Sequence, residues 1–199
     1  LSAGRIANLM RYWCQQKGLM RPNRNQLLQI QTQFFGAGVH LSSALVAWGA
    51  CECRLFNNRF YLMPSLASFS AATRQITVGE DHKVNLGEAG ELVFNDVMIK
   101  TQNISIRWRQ GGERCRPIDR QHSQTVKKLL QEHHLETWLR DRVPLVYCDE
   151  QLVAVADLWL CEEIANHVNI ENKQELAGSP SKGAAAQQLS AKNLLVWSL

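Results

Sequence analysis

The residues best suited to chemistry in this chain of 199 residues are the cations between positions 107 and 142. Arg can bind a phosphate group through two parallel hydrogen bonds, whereas Lys binds it as a point charge. Gly111 and Gly112 lie among them; a glycine pair usually forms a turn, and it also lets the backbone approach an anion closely. The segment is therefore a candidate polyanion site. Its cations are Arg107, Arg109, Arg114, Arg116, Arg120, Lys127, Lys128, Arg140 and Arg142.

The formal net charge of +4 is unevenly distributed along the chain. Residues 1–25 carry five basic and no acidic side chains, and residues 100–142 carry ten basic and five acidic ones. Residues 26–99 and 143–199 are net negative. Two basic regions favour two contact surfaces on one polyanion, although two solvated helix faces would give the same pattern. The candidate contacts of the first region are Arg5, Arg11, Arg21 and Arg24.

Catalytic and metal sites have no support in the sequence. The chain has no GxxxxGK[ST] loop, no Ser or Cys nucleophile pattern and no paired carboxylates, so we predict no catalytic residue. Cys51 and Cys53 are the only closely spaced cysteines, which predicts no metal site. Without a secretory signal, the six cysteines are expected to stay reduced.

The composition, 45% apolar and 20% charged, is typical of a soluble protein with a packed core. No apolar run approaches the roughly 18 residues of a membrane helix, so we predict no membrane partner. The chain begins with Leu rather than Met, and we expect it to be a segment of a longer protein.

Two helices are predicted to position the first basic region. Apolar residues from Ile6 to Cys14 recur at helical spacing, and Gly18 follows as a stop. Asn23 and Gln26 predict a capping box at the start of a second helix. Such a helix pair could read DNA, but helical hairpins that only pack against a core are far commoner.

A β-hairpin is predicted to complete the first domain, over residues 1–64. The Asn57-Asn58 pair lies between two β-prone runs, and Asn tolerates positive φ better than most residues. Residues 65–102 are predicted to be a linker with bridging strands. Those strands are ITV (76–78), KVNL (83–86) and ELVFNDVMI (91–99), with turns at Gly79, Gly87 and Gly90.

Residues 103–199 are predicted to form a second domain, which is rich in β-structure. Residues 104–109 alternate in polarity, and this predicts a strand with Ser105, Arg107 and Arg109 on its solvent face. Further along, the run PLVYC (144–148) predicts a strand that turns at Asp149-Glu150 into a long hairpin arm. The last seven residues, 193–199, are predicted to return to the sheet as a final strand.

A helix is predicted over Thr125–His134, with His133 facing inward and Lys127 and Lys128 facing outward. A Lys pair early in a helix slightly opposes the helix dipole, which invites a functional interpretation, but solvated Lys pairs are just as common. Residues 169–192 have few bulky apolar groups and predict a loop or weak helix. Four tryptophans are expected in the core rather than as platforms for base stacking: Trp13, Trp108, Trp138 and Trp159.

Three runs in the second half of the chain carry a family resemblance: RWRQGGERCRP, KKLLQE and WLRDRVPLVYCDEQLVAVADLWLCEE. In this order and spacing they resemble the C-terminal region of bacterial tRNA(Ile)-lysidine synthetase. Residues 1–63 resemble the domain that precedes it in the family. The resemblance covers most of residues 1–163, and the tail from about residue 164 departs from it.

The resemblance implies an α+β fold made of a helix-helix-hairpin domain followed by a compact, sheet-rich PheT/TilS-like domain. It also implies tRNA binding, in which the first domain positions the anticodon region and the second lies against the acceptor stem. The nine cations of 107–142 and the four of the first region would be the tRNA contacts. An alternative is a structural or protein-interaction module related to a domain of phenylalanyl-tRNA synthetase.

In the family, an ATP-dependent ligase uses ATP, Mg²⁺ and L-lysine to convert the wobble cytidine of the minor isoleucine tRNA, anticodon CAU, into lysidine. That chemistry belongs to an N-terminal PP-loop domain with an SGGxDS motif, which this sequence lacks. The fragment is therefore expected to bind no cofactor itself. The resemblance further implies a cytoplasmic location and allows a homodimer.

Overall fold

The structure is a computed structural model that describes residues 2–36, 44–71, 74–75, 82–95, 103–166 and 195–198. It divides into two compact units, residues 1–67 and residues 68–199. Helices and antiparallel sheets occur together, with a helical start and a sheet-rich second half, which confirms the predicted α+β class. Within the described residues, no helix combines the length and the apolar character needed to cross a membrane.

The first unit packs two helices, α1 (Ala3–Gln16) and α2 (Arg24–Phe35), with a three-stranded antiparallel sheet. Its strands, in spatial order, are β1 (Leu45–Trp48), β2 (Cys51–Phe56) and β3 (Arg59–Pro64). Removing the apolar side chains from water is the main force that holds these elements together. The core residues are Ile6, Met10, Cys14, Leu27, Ile30, Phe34, Val46, Trp48, Cys51, Cys53 and Leu62.

Local signals place the two helices as predicted. The Asn23 side chain accepts a hydrogen bond from the Gln26 amide at 3.0 Å, and the Gln26 side chain accepts one from the Asn23 amide at 2.7 Å. This confirms the capping box, which satisfies two amides that a helix start leaves without partners. At the other helix, Gly18 has φ of +65°, a left-handed conformation that ends α1 next to Lys17.

The predicted hairpin is also confirmed. Phe56 of β2 pairs with Arg59 of β3, so Asn57 and Asn58 alone form the loop. Their φ angles are +47° and +59°. Positive φ at both positions is the type I′ geometry, whose twist matches that of the flanking strands.

The second unit is built around a five-stranded antiparallel sheet with the order β12-β11-β10-β7-β4. In the described part of the unit, a three-stranded sheet (β13-β6-β5), a two-stranded sheet (β8-β9) and the helix α3 (Val126–Glu132) accompany it. The strands are β4 (Arg74–Gln75), β5 (Lys83–Asn85), β6 (Glu91–Phe94), β7 (Ile104–Arg107), β8 (Arg114–Cys115), β9 (Gln124–Thr125), β10 (Leu145–Cys148), β11 (Gln151–Val155), β12 (Trp159–Leu160) and β13 (Leu195–Ser198). Short 3₁₀ helices span Gly87–Ala89 and Glu162–Asn166.

Several predicted strands are confirmed here. The turn at Asp149-Glu150 joins β10 to β11, β5 and β6 fall within the predicted bridging strands, and β13 returns to pair with β6. The predictions for residues 76–79, 96–99 and 169–192 lie outside the described residues.

Two side chains differ from their predicted positions. Ser105 is only 1% exposed, because β7 pairs with β10 on one side and β4 on the other and lies inside the sheet. The prediction that it faces solvent was wrong. His133 is exposed, because α3 ends at Glu132 and leaves His133 as the C-cap, where its ring meets Trp159 edge-on at 5.2 Å. The inward orientation predicted for it was therefore wrong as well.

Candidate nucleic-acid interface

The cations of the 107–142 segment lie at and after the end of β7, on and after β8, on α3 and in the loop that precedes β10. Arg107, the last residue of β7, donates to both carboxylate oxygens of Glu150 at 2.8 Å, and its guanidinium lies 4.4 Å above the ring of Tyr147. This bidentate pair raises the pKa of Arg107 and lowers the pKa of Glu150. The charge of Arg107 is therefore neutralised by a carboxylate from the β10–β11 turn.

Three further cations have acidic partners near α3. Arg120 donates to Glu132 at 2.5 Å, and Lys128 lies 3.8 Å from the other oxygen of the same carboxylate. Hydrogen bonding to Arg120 and the charges of both cations lower the pKa of Glu132. Arg116 pairs with Glu162 at 3.0 Å. Exposed ion pairs of this kind add little to stability, so a phosphate can exchange with the carboxylate at small cost.

The loop that contains WLRDR holds its arginines differently. Arg109 pairs with Asp141 and leaves its Nε buried without a partner. The Arg140 Nε donates to the carbonyl of Leu135 at 2.9 Å. Burial, and then the nearby charge of Arg109, lower the pKa of Arg140.

Arg142 is 6% exposed, and its Nη1 donates to the carbonyl of Glu88 at 2.5 Å. Its guanidinium also lies 5.3 Å from the centre of the Phe69 ring. This changes the expectation for Arg142, which was predicted as a tRNA contact. A charge this deeply buried, bonded to a main-chain carbonyl of the first 3₁₀ helix, positions structure and is no part of the exposed surface.

A carboxylate next to the Gly111-Gly112 turn, that of Glu113, already binds backbone amides of the turn. Glu113 accepts hydrogen bonds from the amides of Gln110 at 2.5 Å and Gly111 at 2.9 Å. The φ angles of the two glycines, +108° and +92°, are strained for any residue with a Cβ atom. The backbone amides that a phosphate would approach are thus already bonded to a carboxylate of the same turn.

Lys127 and Arg114 have no acidic partner among the residues that the structure describes. Lys127 is exposed on α3. Arg114 is exposed on β8 and donates to the carbonyl of Ser123 at 2.9 Å. A phosphate can reach these two cations without displacing a carboxylate.

The first unit differs from the second because it has almost no acidic side chains. It contains seven basic residues and a single acidic one, Glu52, whereas the second unit contains 15 basic and 17 acidic residues. Glu52 is nearly buried and pairs with Arg54 at 2.7 Å. No other carboxylate side chain exists in this unit to neutralise the remaining cations. They are Arg5, Arg11, Lys17, Arg21, Arg24 and Arg59, and all are exposed.

An exposed aromatic side chain lies among these cations. Tyr12 is 61% exposed, and it follows Arg5 by seven residues, which places both on the same face of α1. Arg11 is its neighbour in sequence, and Leu9 on the same side of the helix is also exposed. Cations interleaved with an exposed aromatic ring suit contact with RNA phosphates and bases. We did not predict Tyr12 from the sequence, although its position off the apolar stripe of α1 was a usable signal.

The thiols and acids offer little chemistry. All six cysteines are buried as free thiols, and burial raises the pKa of Cys53 and of Cys148 to about 12. Thiols that stay protonated are poor nucleophiles and poor metal ligands. In the described part of the chain, no three His, Cys, Asp or Glu side chains come together in a way that could hold a metal ion.

Comparison with known proteins identifies both units. Residues 1–61 match the family model described as the TilS substrate binding domain, and residues 104–175 match the TilS substrate C-terminal domain. The tRNA(Ile)-lysidine synthase of Coxiella burnetii is 31% identical over 169 residues, which is 81% of this chain and 37% of that protein. The enzyme of the same name from Serratia proteamaculans is 30% identical over 167 residues, covering 81% of this chain and 38% of that protein. The chain therefore spans little more than a third of the length of these relatives.

Proposed function

Because this chain belongs to the tRNA(Ile)-lysidine synthase family, we propose that it is the tRNA-binding portion of such an enzyme. In this proposal it positions the minor isoleucine tRNA, anticodon CAU, for attachment of lysine to the wobble cytidine. The ATP-dependent step, with its Mg²⁺ and L-lysine, takes place in a PP-loop domain outside these 199 residues. The protein acts in the cytoplasm, and homodimerisation is compatible with this role.

The observation that carries the proposal is that both units expose cations, but only the second unit has carboxylates that neutralise many of them. A tRNA is a rigid polyanion, and cations that neutralise its phosphates release condensed counterions, so affinity falls steeply with salt. The first unit offers exposed cations that no carboxylate of its own can neutralise. The second offers Lys127 and Arg114 directly, and the five carboxylate-paired cations of the 107–142 segment by exchange.

The phosphate contacts position the RNA, and groups that touch the bases supply any recognition of sequence. Tyr12 is a candidate for such a group in the first unit, because its ring is exposed and can stack on an unpaired base. The roles expected for the two units, anticodon region for the first and acceptor stem for the second, remain part of this proposal.

The test is the affinity of the 199-residue chain for an isoleucine tRNA transcript, measured from about 50 to 200 mM NaCl by fluorescence anisotropy. We expect a linear log–log plot whose slope is roughly −0.7 to −0.9 for each phosphate contact. A slope near zero, or no measurable binding at low salt, would refute tRNA binding. It would favour the protein-interaction module instead.

A further inference from the structure

A pocket in the second unit has a composition that phosphate binding alone does not explain. Its volume is about 520 Å³, within the range of sites for small ligands. Its polar walls come from the end of β7 and the WLRDR loop, and its apolar walls from Phe69 and Trp138. The polar residues are Arg109, Gln110, Asp141 and Arg142.

Two aromatic side chains, Phe69 and Trp138, form the apolar walls of the pocket. Phe69 meets Trp108 edge-on, with ring centres 5.0 Å apart, and the buried guanidinium of Arg142 packs on it. Phe69 is partly buried and packs against the core of the unit. Trp138 is half-buried and lines the pocket from the WLRDR loop. The sequence predicted Trp138 as a core residue, and its partial exposure in the pocket makes one part of its surface available to a ligand.

Positive charge exceeds negative charge around the pocket. Arg109, Arg140 and Arg142 lie in or next to it, and the lining carboxylate is Asp141, whose side chain is 69% exposed. Arg109 is the natural anion contact, because it lines the pocket and, among the described residues, its acidic partner is the exposed Asp141. A phosphate can replace Asp141 without leaving a buried charge unpaired, since Asp141 would remain hydrated.

An aromatic side chain, an amide and a guanidinium in one pocket match the three parts of a nucleotide. Unpaired RNA bases are bound by stacking on aromatic rings and by hydrogen bonds to their edges. The Gln110 amide offers both a donor and an acceptor. A paired base could not enter, because its edge and both faces are occupied within the duplex.

We propose that this pocket binds one unpaired nucleotide of an RNA, with its base on Trp138, its edge toward Gln110 and its phosphate on Arg109. The inference rests on the proposed function, because it takes RNA as the partner. It adds a site for a single base to a surface otherwise built for phosphates.

The experiment compares Trp138→Ala with Trp138→Phe in the 199-residue chain, using the tRNA transcript and a blunt RNA duplex as two probes. Trp138→Ala should weaken tRNA binding about 10-fold, the size of one lost stacking contact, while Trp138→Phe retains most of it. The salt slope should not change, because no charge is lost. Affinity for the blunt duplex should stay the same, because it offers no unpaired base.

Trp159→Phe is the matched control, because Trp159 is a half-buried tryptophan of the same unit outside the pocket. Circular dichroism and thermal unfolding of each variant check folding. Equal losses with tRNA and duplex would show a structural role for Trp138, and unchanged tRNA affinity in Trp138→Ala would show an empty pocket; either overturns the inference. Failure of the unmodified chain to bind tRNA would instead overturn the proposed function.

Competition with nucleoside monophosphates separates an RNA nucleotide from a free one. We expect a mononucleotide to displace tRNA only at millimolar concentration, since it lacks the neighbouring phosphate contacts. Displacement at micromolar concentration that Trp138→Ala abolishes would identify the pocket as a free-nucleotide site and overturn the assignment to RNA.

Discussion

The exposed face of α1 and the 107–142 segment are both rich in cations, yet they present different surfaces. In the segment, Arg107, Arg109, Arg116, Arg120 and Lys128 each have a carboxylate partner. On α1, Arg5 and Arg11 are exposed in a unit whose single acid is already paired elsewhere. The number of cations in a sequence segment is therefore a poor guide to its surface potential. The carboxylates that the fold brings to it matter as much.

This difference ranks the two surfaces as phosphate contacts. An unpaired exposed cation gains a charge-assisted hydrogen bond when a phosphate arrives. A paired one must first release its carboxylate, so its gain is the difference between two similar interactions. We expect the first unit to contribute more affinity for each cation than the second.

The largest effect should come from reversing charge on α1. Arg5→Glu combined with Arg11→Glu should weaken tRNA binding by about 100-fold or more, since each lost charged hydrogen bond costs about 1.5–3 kcal/mol. The log–log salt slope should fall by roughly two units. The matched control is Arg107→Glu with Arg120→Glu, the same reversal at two paired arginines. Equal losses in the two double variants would abolish the ranking.

A smaller effect is expected from Lys127 and Lys128, which are adjacent on α3 and differ in pairing. Lys128 lies 3.8 Å from Glu132, whereas Lys127 has no acidic partner in the described residues. Lys127→Gln should therefore weaken tRNA binding about 3- to 5-fold, and Lys128→Gln about 2-fold or less. Electrophoretic mobility shift at fixed salt measures both. If the double reversal Lys127→Glu with Lys128→Glu leaves affinity and slope unchanged, this face of α3 is only solvated.

Removing a carboxylate should act in the opposite direction. Glu132→Gln removes the charge that neutralises Arg120 and Lys128, so we expect tRNA affinity to rise about 2- to 3-fold and the salt slope to become steeper. Asp119→Asn is a control, because it removes an equal charge from an exposed acid of the same 107–142 segment. A rise of the same size in both variants would point to net charge alone and not to local unmasking.

The smallest effect concerns stability at low pH. The paired carboxylates Glu132 and Glu150 have pKa values below their ordinary value of 4.5, because Arg120 and Arg107 hydrogen-bond to them. A depressed pKa contributes stability that is present above the unfolded value and is lost as pH falls through the folded one. As the pH falls below about 5, the free energy of unfolding should therefore decrease less in the double variant Glu132→Gln with Glu150→Gln than in the unmodified chain. Urea unfolding at about pH 7 and pH 3.5 measures this, and parallel curves would contradict it.

Prediction succeeded where a feature depends on a few neighbouring residues. The Asn23–Gln26 capping box and the Asn57-Asn58 turn each involve residues within one turn of chain, so their types are enough to specify the geometry. The alternation of Ile104 and Ile106 likewise identified the buried side of β7. It did not show that Ser105 is buried too, because that depends on a strand at each edge of β7 and on what covers the sheet.

The candidate site, in contrast, depends on contacts between residues that are far apart in the sequence. Arg107 meets Glu150 across 43 positions, Arg109 meets Asp141 across 32, and Arg142 meets the Glu88 carbonyl across 54. No local pattern marks these partners, so the sequence alone could not separate the buried Arg142 from the exposed Lys127. The pocket beside Trp138 is likewise assembled from three separate parts of the chain.

The sequence was sufficient for the α+β class, the family and the excess of cations in the first unit, since composition, local backbone preferences and motif order do not depend on distant contacts. Which cations face solvent with their charge available emerged only from the packed structure. The physical reason is that Coulomb interactions act through space, and folding sets the distance from each guanidinium to a carboxylate. The 107–142 segment, the densest in cations, therefore holds fewer available charges than its composition suggests.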